Sequence, residues 1–377
     1  CSRYLLETRS RSPDGAYYAL RHACCMVAAG AAVHAPQADR ILTPTDKTER
    51  ISGAMLKDHT KGTRYNVEIQ AVLPARFERL GELANDLYFS WNRNVRRLFR
   101  HLDPECWNAS RHNPRVFMRR MRQECINKAA QDPILLSEYR NVLAEYDTYL
   151  EQKPATSIEQ HLSPDHDLVA YFSAEYGFHE SVPLYAGGLG ILAGDYCKAM
   201  SNLWVPFIGI GILYRHGYFT QLIDCDGKQI ADYRRSDPCD LPVTPATGAD
   251  GKEIRVTVSL PKRELVLRVW EARAGHIRLL LLDSDLPENA PDDRVLTAEL
   301  YGGTSETRIA QEIVLGIGGV RALRALKLQP TVWHINEGHA AFQILERCRE
   351  QITDSMDFEN TLELVAAGTA FTTHTPV

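Results

Sequence analysis

Three glycines within four positions, Gly187, Gly188 and Gly190, constrain this chain more than any other stretch. They lie in the run Tyr185-Ala186-Gly187-Gly188-Leu189-Gly190-Ile191-Leu192-Ala193-Gly194-Asp195. An aromatic, carboxylate-bearing segment, Tyr171-Phe172-Ser173-Ala174-Glu175-Tyr176, comes before it. Leu192, Tyr196, Ala199 and Leu203 follow at spacings of three and four, which predicts a helix that buries this face. A loop without Cβ atoms lets backbone N–H groups crowd round an anion, and the next helix adds unpaired N–H groups and its positive dipole end. The predicted chemistry is binding of phosphate or sugar oxygens beside a carboxylate. A bare Gly-Gly-x-Gly is equally a tight strand-to-helix turn, so the function needs further residues to specify it.

Composition narrows the classes. The length of 377 residues favours two or three domains, and 44% hydrophobic with 24% charged residues reads as globular and soluble. A net charge of -5 argues against a nucleic-acid partner. The local basic cluster Arg115, Arg119, Arg120 and Arg122 reads as a solvated helix face. No apolar run approaches the roughly 20 residues of a membrane span. Of nine cysteines only Cys24 and Cys25 are adjacent and no C-x-x-C occurs, so reduced thiols in a cytoplasm are the simplest account. A short apolar run at 23–33 faintly resembles a signal-peptide core, but a polar stretch precedes it and secretion is the minor reading.

Residues 1–64 carry no clear period and are expected to form a poorly defined extension. From Val67 the pattern becomes helical. Pro74 with Phe77, Leu80, Leu83, Ala84 and Leu87 predicts one helix, continued by Phe89, Trp91, Val95, Leu98, Phe99 and Leu102. Phe117, Met121, Ile126 and Ala129 predict another, and Asp132-Pro133 opens one running to Leu150. This gives a helical N-terminal module over 65–152, with aromatics as its core, and a polar linker at 152–164. Residues 165–377 alternate strands and helices, which argues an α/β domain with a mainly parallel sheet. Within it, 218–282 reads as an antiparallel β insertion, with turns at Asp226-Gly227 and Asp250-Gly251. Gly209 and Gly211, inside a strand pattern, imply close backbone approach. Gly316, Gly318 and Gly319 are not a dinucleotide fingerprint, because Arg321 stands where the third glycine belongs; close helix packing explains them better.

Glu175, the 187–190 loop, Glu337, His339 and His374 all follow predicted strands, so one crevice outside the strands' carboxyl ends would gather them. His334 and His339 are five apart rather than the four of H-E-x-x-H, which argues against zinc, and no G-x-S-x-G elbow marks a serine hydrolase.

Taken together, these motifs have a specific likeness. Residues 171–177, 187–195, Tyr214-Arg215, Gly217-Tyr218-Phe219, 283–288, Gln311-Glu312, 316–321, 334–342 and 371–377 stand in an order that resembles α-glucan phosphorylase. The match is to the short bacterial and archaeal branch, and covers about 67–377. The resemblance implies a glycosyltransferase-B type α/β fold: a first Rossmann-like lobe with an antiparallel β insertion, preceded by the helical module. It also implies phosphorolysis of glycogen, starch or maltodextrin from the non-reducing end to glucose 1-phosphate, with pyridoxal phosphate as cofactor, in a cytoplasmic enzyme of carbohydrate metabolism. Its partners would be α-1,4-glucan and inorganic phosphate; the resemblance permits a homo-oligomer and leaves its order open. By position, Gly187, Gly188 and Leu189 resemble the loop that holds substrate phosphate. Glu175, Asn336, Glu337 and His339 resemble glucan-site residues. His374 resembles the catalytic histidine whose backbone carbonyl faces the reacting glucose. No metal is implied.

Three positions depart from what the family leads one to expect. Ala186 stands for an Asn, Glu337-Gly338-His339 for Asp-Thr-His, and Thr304 for an acidic residue after Gly302-Gly303. Val377 falls just past the first lobe's last motif, and the chain starts without Met. The expectation is a fragment, inactive alone, whose cofactor lysine lies downstream. The alternatives are a nucleotide-sugar-dependent glucan synthase of the same fold and a non-catalytic glucan-binding lobe.

Overall fold

The structure, a computed structural model, describes residues 70–375 apart from 155–157, 234 and 354–355. The expectations for 1–64, including the run at 23–33, lie outside the described residues. Among those described, six α-helices come first: α1 (Leu80–Asn85), α2 (Arg93–Leu102), α3 (Pro104–Ala109), α4 (Pro114–Arg120), α5 (Gln123–Ala129) and α6 (Pro133–Glu151). Asp103, Asn113 and Asp132 each stand before a proline and cap the following helix, their side chains accepting its first free N–H groups.

The single helix expected after Pro74 is broken. A 3-10 turn at Ala75–Phe77, α1 and a second turn at Leu87–Ser90 replace it, although Phe77, Leu80, Leu83, Ala84 and Leu87 are all buried as expected. The break comes at Asp86, an extended residue whose buried carboxylate binds the N–H groups of Tyr88 and Gly275, both at 2.8 Å, and the Tyr146 hydroxyl at 2.7 Å. A tertiary use of that carboxylate outweighs local helix propensity. The helix expected through Phe117 and Ala129 likewise divides, at Met121, into α4 and α5. The basic cluster is only in part a solvated face. Arg119 pairs with Asp240, and Arg122 grips the fully buried Asp103 at 2.9 Å. Burial acts to raise the Asp103 carboxyl, but the Arg122 bonds prevail and bring it down to about 2.

The remaining chain builds an eight-stranded sheet of order β10-β9-β1-β2-β8-β7-β5, with β6 also paired to β7. Its strands are β1 (Val169–Phe172), β2 (Phe207–Ile212), β5 (Val243–Pro245), β6 (Arg255–Leu260), β7 (Arg263–Ala274), β8 (Ile277–Asp283), β9 (Val332–Asn336) and β10 (Thr369–Thr372). The strands from β10 to β8 run parallel, and β5, β6 and β8 are each antiparallel to β7. β3 (Thr220–Ile223) and β4 (Gln229–Asp232) form a separate exposed hairpin, turned at Gly227 with φ +77°. The antiparallel excursion is therefore less separate than expected: β8 returns to the parallel sheet, and β5 to β7 extend it. β1 and β2 are buried at every position, the pattern of strands covered on both faces. The β2 glycines leave room for the Tyr176 ring, which a Cβ on Gly211 would meet at 2.8 Å.

Helices α7 (Gly188–Asn202), α8 (Pro291–Arg294), α9 (Ser305–Ile313), α10 (Gly319–Ala325), α11 (Phe342–Gln351) and α12 (Phe358–Ala367) are the remaining described α-helices, with a π-helical turn, Val314–Gly318, between α9 and α10. Gly316 and Gly319 sit where a Cβ would strike Gln343 and Phe172, at 2.7 and 2.6 Å, which is the close packing expected of them. Residues 68–377 form one compact unit. In it the first helices dock on the sheet through Asp86 and Gly275, and through the Tyr149 hydroxyl, 2.7 Å from Ser201 at the far end of α7.

Candidate functional site

From β1 the chain moves outward through β2 to β8, then returns to β9 and β10 on the other side of β1. The direction therefore reverses between β1 and β9, the place where ligands bind in open α/β sheets. Ser173 and Glu175 follow β1, Asn336 ends β9 with Glu337 just after it, and His374 follows β10. The Asn336 amide bridges the reversal by donating to the Ser173 hydroxyl at 3.1 Å, while its oxygen lies 3.0 Å from His374 Nε2.

α7 begins at the glycine loop, as the strand–loop–helix pattern predicts. Its buried face differs from the one expected. Gly190, Ala193, Gly194, Cys197 and Ser201 are buried, whereas Leu192 and Leu203 are 42% and 38% exposed and Ala199 is exposed. Small residues face inward because the helix lies directly on the backbone at Gly177, whose N–H donates to Gly190 O at 2.7 Å. A Cβ on Gly194 would come within 2.6 Å of the Gly177 carbonyl carbon. No side chain caps this helix. The Gly188, Leu189 and Gly190 N–H groups have no acceptor among the described residues, and Gly187 and Gly188 are exposed. A Cβ on Gly187 or Gly188 would meet no atom within 4 Å. The start of α7 thus carries free amides at a helix's positive end, with Gly188 exposed, an arrangement that favours a negative charge.

Glu175, only 2% exposed, lies under that loop. One carboxylate oxygen accepts the Ala186 N–H at 2.7 Å and the Gly187 N–H at 3.3 Å; the other accepts the Tyr301 hydroxyl. The Gly187 amide is thereby turned toward the protein, which shifts the free donors one residue along from the predicted set. Tyr301 was not singled out in the sequence. It lies 126 residues from Glu175, and the only local signal is the glycine pair that follows it. Burial, then the Glu175 bond, raises its hydroxyl pKa.

Glu337 has φ +63° and ψ 178°, backbone that is essentially reserved for glycine. Its Oε1 accepts the His374 N–H, the Thr375 N–H at 2.9 Å and the Thr375 hydroxyl at 3.3 Å. These bonds, the His374 N–H first, hold its carboxyl below the usual range. His339 is half-buried beside Tyr301, with ring centres 5.9 Å apart, and its Nδ1 is buried with no partner among the described residues. His334, by contrast, packs on Tyr171 and Tyr196 and meets the Thr372 hydroxyl at 2.7 Å, apart from the other histidines' partners.

The remaining motif residues support this edge. Gln311 donates to the carbonyls of Leu296 and Glu299 at 2.8 and 2.9 Å, fixing the segment before Tyr301. Asp283, fully buried, receives Arg215 at 2.7 Å and the Trp270 indole at 2.9 Å. Thr304 caps α9 by accepting the Thr307 N–H, a role that an acidic residue also fills.

A family model described as "Protein of unknown function (DUF3417)" matches residues 73–182. A maltodextrin phosphorylase of Thermococcus litoralis is 39% identical over 310 residues, covering 82% of this chain and 37% of its own. A glycogen phosphorylase of Mycobacterium tuberculosis is 42% identical over 323 residues, with the same two shares. A glycogen phosphorylase of Aquifex aeolicus is 32% identical over 300 residues, covering 80% of this chain and 42% of its own. The chain spans about two fifths of the length of these curated relatives.

Proposed function

Starting from this homology to α-glucan phosphorylases, we propose that the chain is the phosphate- and glucan-binding lobe of an enzyme that cleaves α-1,4-glucan with inorganic phosphate. The observation that carries the reading is the set of free amides at the start of α7, directly beside the β1–β9 reversal. In this reading 165–377 is the first Rossmann-like lobe of a glycosyltransferase-B fold, and 65–152 is the helical module before it. The enzyme acts in the cytoplasm; among the described residues no helix is long and apolar enough to cross a membrane.

Phosphorolysis replaces the C1–O bond of the terminal glucose with a C1–O–phosphate bond. The proton carried by phosphate leaves on the 4-hydroxyl of the shortened glucan. Gly188, Leu189 and the neighbouring Gly190 hold the phosphate through N–H groups, Gly187 supplies the turn, and the helix dipole favours the dianion. Asn336, Glu337 and His339 line the sugar side, and the His339 Nδ1, without a partner among the described residues, is suited to a glucan hydroxyl. Glu175, with both oxygens held by Ala186, Gly187 and Tyr301, supports the loop instead. Glu337 acts on His374 through the backbone. It accepts the Thr375 N–H, and in a trans peptide the carbonyl at the other end, that of His374, points the opposite way. An anionic acceptor on the N–H also polarises that carbonyl. The carbonyl dipole then favours positive charge developing at the anomeric carbon.

Pyridoxal phosphate belongs to the proposal on homology alone, and would supply acid–base chemistry through its phosphate. A covalent anchor for it is not found among the described residues of the crevice. Lys198, on α7, is held by Asp195 at 3.2 Å several turns from the loop. Lys228, Lys252 and Lys262 lie at β-turns or hairpins, and Lys327 lies in the turn after α10.

The test is release of glucose 1-phosphate from maltodextrin and phosphate by the full-length enzyme, followed with phosphoglucomutase. Activity should fall on removal of pyridoxal phosphate and return on re-addition. Glucan elongation dependent on a nucleotide sugar, with no phosphorolysis, would contradict the proposal.

A further inference from the structure

One buried carboxylate joins two segments far apart in sequence. Glu175 takes the Tyr301 hydroxyl on Oε1 and the Ala186 and Gly187 amides on Oε2. Its surroundings are tight on the loop side, where a Cβ on Gly190 would approach Oε2 to 2.7 Å. The tyrosine is fixed from other directions. Its backbone is at φ +59°, its ring centre lies 5.9 Å from the His339 ring and 5.9 Å from the Arg308 guanidinium, and Gln311 ties down the segment before it.

A carboxylate's terminal torsion is broad, so one bonded oxygen alone sets its plane poorly. A donor on the second oxygen fixes it, and with it the turn from which the free amides project. A constellation that recognises an anion has to be held to within about 0.5 Å. We propose that Tyr301 is a positioning residue for the phosphate site. Its hydroxyl fixes the Glu175 carboxylate, the carboxylate fixes the Ala186–Gly187 turn, and the turn aims the amides of Gly188 to Gly190. This inference rests on the phosphorylase reading, which it extends to a residue that touches neither substrate.

The experiment uses the full-length holoenzyme and varies inorganic phosphate and maltoheptaose separately. Tyr301→Phe keeps the ring and removes the hydroxyl. The KM for phosphate should rise about tenfold, the scale of one hydrogen bond to a charged group, while the KM for maltoheptaose stays within about twofold. Glu175→Gln should act in the same direction. The double variant should be no worse than the worse single one, because the hydroxyl works through the carboxylate. Equal rises in both KM values, an unchanged phosphate KM, or fully multiplicative effects would each overturn the proposal. Direct binding of inorganic phosphate, by calorimetry on the same proteins, separates the two failures. A wild-type enzyme that binds phosphate about tenfold tighter than Tyr301→Phe but releases no glucose 1-phosphate sinks the phosphorylase reading and keeps the positioning role. Equal phosphate binding sinks the positioning role.

Discussion

The Thr375 amide donates to Glu337 at 2.9 Å, and the backbone of Glu337 is held at φ +63° while it does so. The strained backbone and the bond belong together. A non-glycine residue in this region costs about 1–3 kcal/mol and persists where its surroundings over-determine it. Here the Glu337 N–H also donates to Thr372 O at 2.8 Å, so the residue is tied at both ends to the segment that carries His374.

Replacing Glu337 separates the two effects. Glu337→Gln keeps the shape but turns a charge-assisted acceptor into a neutral one. In the full-length enzyme kcat should fall about 10- to 100-fold with little change in maltodextrin KM. Glu337→Gly and Glu337→Ala both lose the acceptor, but only glycine relieves the backbone. The glycine variant should therefore melt a few degrees above the alanine variant; equal melting temperatures would mean that no strain is stored there.

The same contact sets a pH dependence. The hydrogen bonds from His374 and Thr375 depress the Glu337 carboxyl from its ordinary value of 4.5. A depressed folded value means that the contribution is fully present above that ordinary value. It is lost as pH falls through the lower folded value. The difference in melting temperature between wild type and Glu337→Gln should thus be largest near neutrality and shrink as pH falls below 4.5. A difference independent of pH over that range would show that the carboxylate charge contributes nothing.

Packing of α7 can be tested with two glycines. A Cβ on Gly194 would come within 2.6 Å of the Gly177 carbonyl carbon, whereas one on Gly81 in α1 meets nothing within 4 Å. Gly194→Ala should cost about 1–3 kcal/mol through overpacking. Gly81→Ala should be neutral or stabilise by up to about 1 kcal/mol. Denaturant melts of both variants give the comparison, and equal effects would rule out the close approach of α7 to the 175–177 segment.

Much of this architecture is legible in the sequence. Apolar strand patterns ending at Phe172, Ile335 and Thr373, each followed by polar side chains, give a mainly parallel sheet and one edge at which the candidate residues collect. The Asp132-Pro133 pair gives the start of α6. The buried face of α7 is not legible, because Gly190, Ala193, Gly194 and Ser201 carry little hydrophobic signal, while Ile191, Leu192 and Leu203 carry much and remain partly exposed. The break at Asp86 depends on Gly275, 189 residues away. The positive φ at Glu337 is hidden because glycine, its natural place, is the next residue. Tyr301 is hidden because its partner is distant and its own neighbourhood holds only a turn signal.

The central claim is that the free amides at the start of α7 bind the reacting phosphate, and Gly188→Val in the full-length enzyme tests it most directly. A Cβ there meets no other part of the protein within 4 Å, and Gly188 is not at positive φ, so the variant should fold and melt close to wild type. The space its side chain enters is the space assigned to the anion. Losing a comparable donor costs about 3–4 kcal/mol, so phosphorolysis should fall roughly 100- to 1000-fold. Maltodextrin affinity measured without phosphate should stay within about threefold, because Asn336, Glu337 and His339 are untouched. A variant that keeps the wild-type dependence on phosphate, or that folds normally yet loses glucan and phosphate equally, would contradict the account.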